Sequence, residues 1–217
     1  MAANFKTTLD ELETAFEAST AYELDLVTGS TGKLYAQIIL GAPYDVFLAA
    51  DQVRPERLVT DGEAVAGSQF TYALGRLVLL GAESASDLNA PETRSVAIAN
   101  PDLAPYGKAA KQVLDRLNLE DQVAPKLVLG ENVGQAFAFV TTRNAQLGFV
   151  SEAQVRAFET SSDLRMWRPS PDLYDPIAQD VVLLQRAAEN SAALAFIDFL
   201  KSEMAREIIS RHGYDLP

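Results

Sequence analysis

The sequence predicts an α/β protein of two lobes, built from parallel-rich sheets flanked by helices. Three observations predict it. Short apolar runs, such as residues 44–49, 96–99 and 147–150, alternate with amphipathic stretches along the whole chain, the pattern of strands buried between helices. Several of these runs end in a turn of small residues that opens a helix. Two β-rich connections, at residues 70–80 and 166–177, separate an outer part from an inserted middle part. Residues 1–75 with 178–217 then form one lobe and residues 76–177 the other, with a ligand cleft expected between them.

Taken in order, Phe5, Leu9, Leu12 and Phe16 recur at helical spacing with acidic residues between them, and Asn4 stands at the cap position; this predicts a first amphipathic helix. Residues 22–27 alternate in the manner of a strand. The turn Ser30-Thr31-Gly32-Lys33 opens a helix through Leu34, Tyr35 and Ile38, and residues 44–49 follow as a buried strand. Arg54-Pro55-Glu56-Arg57-Leu58 predicts a short helix with Pro near its start. Residues 70–80 form a long β run interrupted at Gly75, residues 81–91 a loop with a helical turn, and residues 96–99 a strand ending at Asn100-Pro101. Beyond it come a helix through Ala109, Val113, Leu114 and Leu117, a strand at 126–129, and a helix carrying Ala136, Phe137 and Val140. A strand at 147–150, a short helix at 152–157, an extended connection, a strand at 177–184 and one long closing helix at 190–211 complete the chain.

Composition narrows the function. The chain has 217 residues, 48% hydrophobic and 22% charged, as expected of a globular protein with a sizeable core. A net charge of −12 supplies no basic stripe to displace counterions, which argues against nucleic acid. It does not argue against a small anion, because aimed N–H dipoles act locally while surface carboxylates are screened over about 8–10 Å. With no cysteine, thiolate metal sites and thiol nucleophiles are excluded. The single histidine, His212, precedes Gly213 at a predicted helix end, where the dipole favours a cation. Asp45, Asp51 and Asp180 read as scattered strand-end and surface groups, so neither an acid–base pair nor a metal cluster points to an enzyme. Met1-Ala2-Ala3-Asn4-Phe5 carries no signal-peptide pattern, as in a cytoplasmic chain or a mature or truncated form.

Four places share one local grammar, a strand followed by a short turn and a helix N-terminus: Asn4, Ser30-Thr31-Gly32, Tyr106-Gly107 and Asn132-Val133-Gly134. The first N–H groups of a helix have no intrahelical acceptor, and the dipole there favours negative charge. Each turn alone reads equally as a helix cap. Four on one cleft would make an oxyanion site of donors without a compensating cation. Lys33 and Lys108 read as solvated flank charges.

The segments AANF, GSTGKLYAQI, GAPYDVFLAAD, RLVL, AIANPDLAPYGKAA, LGENVGQAFAFV, LGFV and PIAQDVVLL, in that order, resemble the periplasmic molybdate-binding proteins of molybdate ABC transporters. The resemblance implies the type II periplasmic-binding-protein fold, closing on a tetrahedral oxyanion. It implies a ligand of molybdate or tungstate, no cofactor, no bare metal ion and no catalysis. The implied ligand positions are Asn4, Thr31 with Ser30 beside it, Tyr106 and Val133. Some members add a tyrosine where this sequence has Ser151, whose reach is shorter. A membrane permease is the implied partner, the protein acting as a periplasmic monomer without nucleic acid. The family's first strand, preceding Asn4, is represented here by Met1-Ala2-Ala3, which predicts weak stability or a substitute partner along that edge. Alternatives within the fold are a binding protein for another oxyanion such as sulfate, or a ligand-sensing regulatory domain.

Overall fold

The structure is a computed structural model, and it describes residues 1–158 and 165–217. A 3-10 turn at Ala3–Phe5 leads into α1 (Lys6–Ser19), followed by α2 (Thr31–Ile39), β1 (Val46–Leu48), α3 (Val53–Thr60), β2 (Phe70–Gly75) and β3 (Leu77–Leu80). Next come β4 (Val96–Ala99), α4 (Pro105–Arg116), α5 (Glu120–Val123), β5 (Leu127–Gly130), α6 (Val133–Thr141), β6 (Leu147–Ser151) and α7 (Glu152–Arg156). The chain finishes with β7 (Met166–Trp167), β8 (Ile177–Leu183), α8 (Ser191–Leu200) and α9 (Glu203–Arg211). Two units result, Met1–Gly75 with Ala178–Pro217, and Arg76–Ile177.

The first unit is built on a three-stranded sheet of order β1-β8-β2, with Val46 opposite Leu183 in the antiparallel β1–β8 pair. Leu34, Ile38, Phe47, Leu58, Val182 and Leu184 form a core that joins α2 and α3 to that sheet. The second unit holds a five-stranded sheet of order β5-β4-β6-β3-β7. Here β4 pairs in parallel with β5 and β6, while β3 pairs antiparallel with β6 and β7. This five-stranded sheet is therefore mixed. Parallel pairing occurs where helices connect successive strands, and antiparallel pairing where the chain enters or leaves the second unit.

Three expected elements take a different form. Residues 22–28 form no strand despite their alternation. A strand requires ladder partners, and the pairing of this stretch is confined to its end, where Val27 O accepts from Met1 N and Gly29 bridges Ala2. The run 70–80 is two strands in different sheets with Arg76 between them. Leu74 exchanges two backbone hydrogen bonds with Asp215, whereas Leu77 pairs with Ser151. The closing helix is two helices, because Ser202 caps α9 by accepting from Ala205 N at 3.2 Å. A residue in capping geometry has extended backbone and interrupts the helix.

Candidate functional site

In the first unit the site is set by the first three residues. Ala2 forms a parallel bridge with Gly29. Ala3 N donates to Gly29 O at 2.9 Å, and Ala2 N donates to Leu48 O at 2.9 Å. These bonds put the Asn4 turn beside the Ser30-Thr31 turn that opens α2. Ser30 is the N-cap, its Oγ accepting from Lys33 N at 3.3 Å. Thr31 is 1% exposed, and its Oγ1 accepts from Ala50 N at 3.0 Å. A hydroxyl that accepts one bond still has its own proton to give. Both hydroxyls are thus locked as acceptors on the protein side.

Asn4 is buried within a polar network that spans the unit. Its Nδ2 donates to Gln179 Oε1 at 2.9 Å and to Tyr214 OH at 3.0 Å, and Tyr214 OH donates to Asn4 O at 2.8 Å. Tyr72 OH reaches Ala49 O at 3.1 Å and Gln179 Oε1 at 3.2 Å. Phe5 packs edge-on against Tyr72 and Tyr214, with ring centroids 4.8 and 5.3 Å apart. Both amide protons of Asn4 are committed inside the unit, which turns the side chain into an anchor for its own helical turn.

In the second unit the parallel register sets Ala99 opposite Gly130, so the carboxyl ends of β4 and β5 lie side by side. From the first, α4 begins at Pro105, with Tyr106 in its first turn and 1% exposed. Gly107 lets that helix start close to the strand: a Cβ there would sit 2.1 Å from Ala99 O. From the second, α6 begins at Val133, 3% exposed, behind the N-cap Asn132, whose side chain accepts from Gln135 N at 3.0 Å. Ser151 ends β6, and its Oγ donates to Tyr106 OH at 3.2 Å. The structure brings Asn4, Ser30 and Thr31 together in one unit, and Tyr106, Val133 and Ser151 at neighbouring strand ends in the other. Lys33 and Lys108 are exposed. All five ligand candidates stand at the helix starts that leave donors directed outward.

Two carboxylates depart from the sequence reading or were missed by it. Asp180 is not a surface group but is 2% exposed, accepting from Thr71 Oγ1 at 2.6 Å, Gln69 Nε2 at 2.7 Å and Gln52 Nε2 at 3.3 Å. Its donors stand on β2 and on loops far away in sequence, which local pattern does not reveal. Glu152, fully buried behind Ser151, accepts at Oε1 from Arg156 Nη2 at 2.8 Å and Arg168 Nη2 at 3.0 Å. Burial raises its pKa, but the hydrogen bonds from Arg168 and Arg156 outweigh that and hold it below the usual carboxylate range. His212 caps the end of α9, with Nε2 2.8 Å from Glu11 Oε2. Among the described residues, no group of three or more His, Cys, Asp or Glu is placed to hold a metal ion.

Comparison with known proteins identifies the family of the chain. The profile of the family described as bacterial extracellular solute-binding protein matches residues 1–215. The molybdate-binding protein ModA of Rhodobacter capsulatus is 44% identical, over 99% of this chain and 86% of the relative. That of Azotobacter vinelandii is 43% identical, over 100% of this chain and 88% of the relative. The solved periplasmic molybdate-binding protein of Azotobacter vinelandii superposes with a TM-score of 0.93 at 38% identity, covering 100% of this chain and 97% of that one. The chain belongs to the bacterial extracellular solute-binding proteins, within the family of the molybdate-binding proteins.

Proposed function

We propose that this protein captures molybdate or tungstate in the periplasm and delivers it to the membrane permease of an ABC importer. The observation that carries this reading is the pair of donor sets, one at the helix starts beside the Ala2–Gly29 bridge and the other at strand carboxyl ends and helix starts. Thr31 and Ser30 supply hydroxyl protons, and Asn4, whose amide is spent on Gln179 and Tyr214, supplies its backbone N–H. Tyr106 and Val133 contribute from the first turns of α4 and α6. The protein works as a monomer, without nucleic acid, and binds its ligand without transforming it.

The chemistry of the donor sets defines the ligand class. Molybdate, tungstate and sulfate are fully deprotonated dianions near neutral pH and need only donors. Hydrogen phosphate brings a proton that requires an acceptor, and a site of donors leaves that proton unpaired. Discrimination against sulfate rests on size, since charge and shape agree. Calorimetric titration with molybdate, tungstate, sulfate and phosphate tests the reading. Molybdate and tungstate are expected to bind tightly, sulfate at least about tenfold more weakly, and phosphate without detectable heat. Sulfate binding as tight as molybdate overturns the assignment.

A further inference from the structure

The turn at Ala3–Phe5 holds one buried donor in reserve. Ala3 N donates to Gly29 O at 2.9 Å, Phe5 N to Ala2 O at 3.0 Å, and Lys6 N to Ala3 O. Asn4 N, in their midst, has no such acceptor among the described residues, although Asn4 is 3% exposed. Buried backbone N–H groups are paired almost without exception in folded proteins. The acceptor for this one therefore comes from outside the chain.

Where that N–H points depends on how the Asn4 residue is held, and two side chains hold it. Tyr214 OH grips it twice, accepting from Nδ2 at 3.0 Å and donating to Asn4 O at 2.8 Å. Gln179 Oε1 accepts from Nδ2 at 2.9 Å. Two acceptors for the two protons of one planar amide fix the plane of that amide. Gln179 is itself immobilised: it is fully buried on β8, the middle strand of its sheet, and Tyr72 OH from β2 lies 3.2 Å from the same Oε1. Successive side chains of a strand point to opposite faces. Gln179 with Tyr72 thus faces Asn4, while Asp180 with Thr71 turns to the other side. The face behind the donor carries a neutral amide, and the buried carboxylate is kept on the opposite face. A neutral acceptor holds the turn without placing a negative charge behind an anion.

Given the oxyanion capture proposed for this chain, on which the assignment rests, we infer that Gln179 is a positioning residue for the ligand. It acts through the Asn4 side chain, holding Asn4 N–H at the angle from which it donates to an oxyanion oxygen. A side chain of similar length without an acceptor leaves Nδ2 with Tyr214 alone, and the turn can then rotate about that one contact. A hydrogen bond weakens steeply as its angle closes, and bonds to a charged acceptor have the most to lose. A small rotation therefore lowers affinity in a chain that still folds.

Molybdate calorimetry and amide NMR of the full chain test this. Gln179→Met removes the acceptor, and Gln179→Asn, one methylene shorter, withdraws it from Nδ2 while keeping an amide in the core. Each is expected to weaken molybdate binding about tenfold. In the parent the Asn4 amide proton moves downfield when molybdate binds; in both variants it moves less, while the Thr31 amide responds as before. In an Asn4→Ala background Gln179→Met costs no further affinity, because the link through which it acts is already gone. Thr71→Val takes a donor from Asp180 on the other face of β8 and serves as the control, with a lower melting temperature and the parent's affinity. Variants of Gln179 that melt lower but bind as tightly as the parent overturn the inference. So do losses that add in the double variant, an Asn4 amide that ignores molybdate in the parent, or a Thr71→Val loss as large as that of Gln179→Met. A parent chain that binds neither molybdate nor tungstate overturns oxyanion capture itself and the inference with it, an outcome distinct from the others.

Discussion

Thr31 shows how one side chain serves both fold and ligand. Its oxygen holds Ala50 N–H and its proton remains to be given. Thr31→Val removes both, so the molybdate affinity is expected to fall about 10- to 100-fold and the stability by about 1–3 kcal/mol. Thr31→Ser retains both groups and should bind within a few-fold of the parent; calorimetry and thermal melts separate the two. Asn4 has a different role from the one its position suggests. The sequence places an amide at a helix start, where capping and ligand contact are both plausible, but its partners Gln179 and Tyr214 stand 175 and 210 residues away. Nothing local encodes that network, nor the burial of Asp180 among Gln52, Gln69 and Thr71. Asn4→Ala leaves Gln179 Oε1 short of a donor and is expected to destabilise the fold by about 1–3 kcal/mol, measured by denaturant titration.

At the scale of elements, what was legible is what short-range chemistry dictates. Ser30 and Asn132 are caps with side chains accepting from the third residue on, and the apolar runs between them are strands. What was not legible depends on remote partners. Residues 22–27 have the alternation of a strand, but alternation specifies only which side chains share a face, and the ladder must come from elsewhere. The break at Ser202 was readable in principle, since a serine before Glu203 is a helix-start signal; the apolar spacing on either side masked it. The start of α4 gives the sharpest test of how elements position the donors. Gly107→Ala puts a methyl group against Ala99 O, so the helix must retreat from the end of β4. A stability loss of about 1–3 kcal/mol is expected together with weaker molybdate binding, because the displaced turn carries Tyr106. Loss of stability with unchanged affinity would show that Tyr106 does not contact the ligand.

For the whole molecule, stability is coupled to both proton and ligand. The Met1 amine has a pKa of about 5 in the fold against 8.0 when free. Between these values the unfolded chain binds one more proton than the folded chain, so stability falls as the pH drops from 8 towards 5. The slope is about 1.4 kcal/mol per pH unit, or about 4 kcal/mol across the window; acetylating the amine should abolish it, as urea titrations at pH 5.5 and 7.5 would show. Molybdate at about 1,000 times its dissociation constant should add about 4 kcal/mol. The topology also bears on the order of events during synthesis. Arg76–Ile177 is contiguous, and its sheet is complete once β7 has emerged. The first 75 residues have no such freedom, because the middle strand of their sheet is β8, which is translated only after the second unit. On nascent chains halted when Ile177 has just cleared the ribosomal exit tunnel, the inserted unit should already resist protease while the segment made first is still digested. The oldest part of the chain is thus the last to fold, and it spends the synthesis of about a hundred residues with its β1 and β2 edges open to chaperones and to misassembly.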